Sequence, residues 1–191
     1  ATDVGNPGPD FKNGFGALNL GRSLQILDSG HYYADNITNG AVQQKTIVVP
    51  PNTAQLKVML YWHDEAASPV SANQLVNDLD VEVQAPAGVH TPLILDATPA
   101  GVNNLAIEGI DRKNNCEQVV INNPAAGSYI LTVKGFSVPS FSQDYVVAYD
   151  LIPAGVQITY PTTGAQVKNQ DSLFIYWDAS DDANSFKIEF Y

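Results

Sequence analysis

A single cysteine among 191 residues rules out an internal disulfide and any cysteine-rich metal cluster. A reactive thiol needs an exposed, electropositive niche, and Cys116, in "NNCEQVVI", reads instead as a small packing residue at a strand start. Cations are scarce as well. Nine Lys and Arg against twenty Asp and Glu leave a net charge of -11. Nucleic acid and anionic lipid surfaces both demand a basic face that displaces counterions, so neither is an expected partner. Long apolar runs are missing too: none approaches the roughly 18 residues that span a bilayer, and the N-terminus lacks the basic start and apolar core of a signal peptide. The opening "ATDVGNPGPDFKNGFG" has no initiator Met and reads as a loop. The chain is therefore expected to be a piece of something longer, with export signals upstream.

Helix is nearly absent. Only "NLGRSLQILDSG" spaces its apolar residues for one, with Leu20, Leu24 and Leu27 on a stripe, Asn19 as cap and Gly30 past the end. The stripe predicts docking on the rest of the chain through those three leucines, since so short a helix is marginal alone. Elsewhere the period is that of strands: "KTIVVP", "QLKVMLYW", "LDVEVQA", "TPLILD", "CEQVVIN", "GSYILTVKGF" and "QDYVVAYDL", separated by Pro, Gly, Asn and Asp. Short strands without intervening helices predict an antiparallel sandwich or jelly roll. After Leu151, "IPAG" breaks the pattern, and "VQITYP", "SLFIYWD" and "SFKIEFY" suggest the first strands of an immunoglobulin-like or fibronectin-like module with Trp177 as its core aromatic. The expected division is 1–30, 31–153 and 154–191.

Candidate chemistry is sparse. His63 and Asp64 adjoin, but neighbours on a strand point to opposite sides and do not form the base and orienter of a triad. His31 and His90 have no better company. "ILDSG" resembles the catalytic aspartate segment of subtilisin-like proteases, yet its helical spacing and terminal Gly30 mark a helix end. The acidic loops are the better candidates. Asp78 and Asp80 lie two apart on an alternating strand and share a face. With Asp64 and Glu65 after the preceding strand, and Asp111, Asn114, Asn115 and Glu117 around a later one, they supply the oxygens that calcium takes in sixes to eights. Asp78, Asp80, Asp64 and Asp111 are the candidate metal ligands, although Asp and Asn at strand ends also serve simply as turn formers. Tyr32, Tyr33, Tyr61, Trp62 and Tyr160 could make a stacking platform for sugars or could be packing residues. Tyr61 and Trp62, being adjacent, must face opposite sides.

Two stretches carry a resemblance. "PDFKNGFGALN", inside "DVGNPGPDFKNGFGALNLGRSL", resembles the closing segment of a subtilisin-like serine protease catalytic domain, where a Gly-rich turn precedes the last helix. "LVNDLDVEV", "DRKNNCEQVVINNPAAGSYILTVKGFSVP" and "QDYVVAYDL" resemble the jelly-roll domain that follows the catalytic domain in the alkaline, oxidation-resistant subtilases and, more remotely, the P domain of proprotein convertases. Cys116 departs from the more usual Val after the paired Asn. The resemblance implies an all-β, galactose-binding-like jelly-roll sandwich with a short N-terminal helix. It also implies a secreted or cell-surface endopeptidase as parent, often calcium-bearing, whose catalytic Asp, His and Ser would precede Ala1. The expected function is a non-catalytic accessory domain partnered with the catalytic domain of the same chain. The alternative is a carbohydrate or cell-surface binding module with a glycan or polypeptide ligand, since jelly rolls serve both ends.

Overall fold

In a computed structural model, which describes residues 2–161, 164, 174–178 and 187, the chain is all-β apart from one helix. Helix α1, Leu20–Asp28, begins where Asn19 accepts a hydrogen bond from the Arg22 N–H at 3.0 Å. It ends at Ser29 and Gly30, whose φ of 65° is the left-handed conformation that glycine adopts without penalty. The strands are β1 (Tyr32–Ile37), β2 (Val42–Val49), β3 (Thr53–Trp62), β4 (Asp78–Ala85), β5 (Gly88–His90), β6 (Leu93–Ile94), β7 (Ile107–Glu108), β8 (Cys116–Asn122), β9 (Gly127–Ser137), β10 (Gln143–Pro153), β11 (Gln157–Tyr160) and β12 (Tyr176–Asp178).

Eight of them form two four-stranded antiparallel sheets, ordered β1-β10-β3-β8 and β2-β9-β4-β5. Successive strands hop from one sheet to the other except at the β4–β5 hairpin, which is the connectivity of an eight-stranded jelly roll. Period-two alternation explains the two layers. Leu56, Val58, Leu60 and Trp62 of β3 face inward against Leu79, Val81 and Val83 of β4, with Val119, Leu131, Val133, Tyr145 and Val147 filling the space between. β6 and β7 pair as a small ribbon in the long connection between β5 and β8, and β11 pairs with β12 beyond the sandwich. Trp177, expected in a core, is 38% exposed on β12. The last expected strand, "SFKIEFY", lies outside the described residues apart from Lys187.

The N-terminal segment lies against the outer face of the first sheet. Lys57 of β3 meets Asp3 at 3.0 Å, and Arg22 of α1 meets Asp150 of β10 at 3.0 Å. The turn before the helix closes as Thr2 and Ala17 exchange backbone hydrogen bonds of 2.9 Å each, and a side chain at Gly16 would put its first carbon 2.2 Å from the Thr2 carbonyl oxygen. Helix docking differs from the sequence expectation. Arg22 is the buried residue of α1, while Leu20, Leu24 and Leu27 are each more than half exposed. The helix is clamped by an ion pair, and its apolar stripe faces away from the sandwich.

Candidate functional site

The acidic residues gather at one end of the sandwich, where the loops after β3, β7 and β9 meet the start of β4. Asp78 and Asp80 do share a face, and both reach the same cation, Arg112 from the β7–β8 loop. Its guanidinium takes both carboxylate oxygens of Asp80, the Nη2–Oδ2 contact at 3.2 Å, and its Nε lies 3.5 Å from an Asp78 oxygen. A two-pronged contact of this kind gives an arginine–carboxylate pair both strength and direction. The opposite strand slips by one residue here: Asp78 pairs with Ser137 and Leu79 with Gly135, leaving Phe136 as the extra residue of a bulge. The Phe136 ring then lies 3.6 Å from the Arg112 guanidinium carbon, a cation–π contact that holds the arginine against the acids.

The other two expected ligands are tied into their loops. Asp64 accepts the backbone N–H groups of Val76 and Asn77, at 2.8 Å each, and so ties the β3–β4 loop to itself. Asp111 accepts from the Lys113 and Asn114 backbones at 2.8 and 3.1 Å and from the Asn114 amide at 2.6 Å. Between them, fully buried Asn77 accepts the Trp62 indole N–H on its carbonyl at 2.8 Å and donates its amide to Gln143 at 2.7 Å. Asn115 donates to the Trp62 carbonyl at 2.8 Å. Asp64 and Asp111 thus hold the backbones of the β3–β4 and β7–β8 loops, while Asn77 and Asn115 join those loops to Trp62 and, through the Asn77 amide, to Gln143. Among the described residues, no group of three or more His, Cys, Asp or Glu side chains has the arrangement of a metal site.

Sequence reasoning placed Glu117 among the loop acids and left Arg112 out. Glu117 occupies an inward position of β8, in phase with Val119 and Ile121, and is 2% exposed. One of its oxygens accepts the Val81 N–H at 2.7 Å, where β5 is too short to pair that stretch of β4, and the other has no hydrogen-bond partner. Burial, reinforced by Asp80, Asp111 and Asp78, pushes its carboxyl up to about 9 despite the Val81 hydrogen bond, so it is neutral at physiological pH. Asp78 is pushed up to about 6 by burial, with Arg112 opposing and Asp80, Asp111 and Asp64 adding to the rise. The in-phase spacing with Val119 and Ile121 was the signal that marked Glu117 as a core position.

Other expected sites resolve simply. The Asp64 oxygens are both engaged by backbone, and its neighbour His63 stands past the end of β3. Cys116 is half-buried on the outer side of β8, and burial raises its thiol, which disfavours the nucleophilic thiolate. Tyr61 is exposed and Trp62 buried, as their adjacency required. Leu79, between the two acids, enters the core completely.

A shallow groove of about 500 Å³ opens on the outer face of the first sheet, lined by residues 34–36 of β1, residues 144–146 of β10 and residues 61–63 at the end of β3. Among the described residues no helix is long and apolar enough to cross a membrane.

No family model matches the chain. It is similar to a serine protease/ABC transporter B family protein of Dictyostelium discoideum, 24% identical over 147 residues, which amount to 72% of this chain and 8% of that protein. The chain thus spans a small part of the curated relative it matches. Two solved structures are also similar: a periplasmic inhibitor of g-type lysozyme from Aeromonas hydrophila and a protein from Sulfurospirillum deleyianum. They have TM-scores of 0.33 each and identities of 18% and 9%, and the likeness covers 62% of this chain and 82% and 97% of theirs.

Proposed function

We propose that this chain is a non-catalytic accessory sandwich of a secreted subtilisin-like serine endopeptidase, carried with the end of the catalytic domain and stabilising that domain by packing against it. The observation that carries the reading is the orientation of α1. A helix clamped to the sandwich by the pair of buried Arg22 with partly exposed Asp150 turns Leu20, Leu24 and Leu27 outward, together with Leu18 before it. An apolar stripe held in place on a rigid support suits burial against another folded unit. The similarity to a protease-related protein of which this chain matches a small part agrees with that reading. Calcium enters the same proposal as a competitor of Arg112: it would take Asp78 and Asp80 only by displacing the guanidinium that pairs with them, with Asp64 and Asp111 flanking and keeping their loop hydrogen bonds.

The test expresses the parent reading frame beside a version stopped just before His31, and compares peptide hydrolysis and heat resistance with calcium and with chelator. Collapse of activity or heat resistance in the shortened form, and loss of heat resistance on chelation, are the expected outcomes. Unchanged hydrolysis in the shortened form, or none in either, counts against the accessory role, and calorimetry without a calcium heat counts against the metal.

A further inference from the structure

The polar side chains at the acidic end are spoken for by one another, whereas those around the groove on the outer face of the first sheet are not. The register places Ala34, Val146 and Tyr61 side by side across β1, β10 and β3; the strand neighbours Tyr145, Val147 and Trp62 are buried, and Tyr33 beside Ala34 packs against the core. Alternation therefore turns Ala34, Val146 and Tyr61 out to form the floor, with Tyr61 45% exposed. Asn36, Asp144 and His63 also line the groove, in the next row two residues along each strand. Each of these three is exposed. Among the described residues, no hydrogen bond or ion pair within the chain engages the Asn36 amide, the His63 ring, the Asp144 carboxylate or the Tyr61 hydroxyl.

We propose that this groove binds neutral oligosaccharide chains. A sugar ring presents an apolar C–H face edged by hydroxyl groups. A floor of Tyr61, Val146 and Ala34 edged by an amide, an imidazole and a carboxylate is the complement of both parts. Tyr32 lies on the same face, two strands away and two residues along, roughly 12 Å from Tyr61 by strand spacing and rise, so a chain of several sugars can span the two rings. The net charge of -11 selects against uronic and sialic acids. The groove is separate from the helix: Asp144 and Asp150 are six residues apart on β10, about 20 Å, so a ligand here leaves the α1 stripe open.

Calorimetry of the 191-residue chain against cellohexaose, xylohexaose and mannohexaose tests the proposal. At least one should bind saturably. Tyr61→Ala should weaken that binding about tenfold or more, and Asp144→Asn should weaken it measurably, with circular dichroism and melting temperature unchanged because both side chains are outside the core. Absence of heat for all three sugars at millimolar concentration would overturn the proposal. So would affinity that persists in both variants, or a groove that takes a hexa-arginine peptide and no sugar.

Discussion

At the residue scale, Glu117 shows how one buried carboxyl sets a pH response. Its folded value of about 9 lies far above the usual carboxylate range near 4.5. Below that ordinary value both folded and unfolded chains hold the proton and pH is without effect. Between about 4.5 and 9 the unfolded chain releases a proton that the folded chain retains, so stability falls as pH rises. Asp78, raised to about 6, contributes with the same sign over a narrower window. Thermal melts at pH 5, 7 and 9 should therefore show the native chain losing stability on the order of a few kcal/mol, with a smaller loss in Glu117→Gln, whose amide can still accept from Val81. Equal slopes in the two proteins would contradict this. Arg112 carries the opposite lesson. Arg112→Ala leaves Asp78 and Asp80 crowded without their cation and should cost about 1–3 kcal/mol in urea unfolding at pH 7, the lower end reflecting the partial exposure of the arginine. The deficit should shrink toward pH 4 as Asp78, raised to about 6, takes up its proton.

At the scale of elements, α1 separates what docks it from what it displays. Leu24→Glu should leave the melting temperature of the 191-residue chain nearly unchanged, within the roughly 0.5 kcal/mol common for surface changes, because the leucine contributes little buried area here. Arg22→Ala should cost about 3 kcal/mol, since it strands Asp150 beside the helix. The reverse ranking would mean that the leucines dock the helix after all. The helix bounds, Asn19 cap and Gly30 exit were legible because they are local: a side chain three residues away and a left-handed glycine need no tertiary partner. Which face turns inward was not legible. An apolar stripe states only that something covers it, and the ion pair that decides the matter joins Arg22 to Asp150, 128 residues away in the chain. β1 was missed for a related reason: "YYADNI" has polar residues on both phases, and only pairing with β10 makes it a strand.

At the scale of the whole molecule, the buried core runs from Ile37 to Val147 and is shared by the two sheets, while β11 and β12 pair with each other. A chain ending at Gly155 should therefore melt within a few degrees of the 191-residue chain by scanning calorimetry, and a loss of the cooperative transition would show that the C-terminal ribbon is part of the fold. The sequence by itself determined the all-β class and the strand alternation that sends Leu79 to the core and turns Asp78 and Asp80 to one side, because periodicity is a property of the chain alone. Only the tertiary structure decided what those side chains meet. It brought Arg112 and bulged Phe136 to the paired acids, put Glu117 between the sheets with one oxygen unmatched, and assembled the Tyr61 groove from three strands far apart in sequence. Antiparallel pairing sets register through hydrogen bonds between distant segments, so the identity of a residue's neighbours across a sheet exists only once the chain has closed on itself.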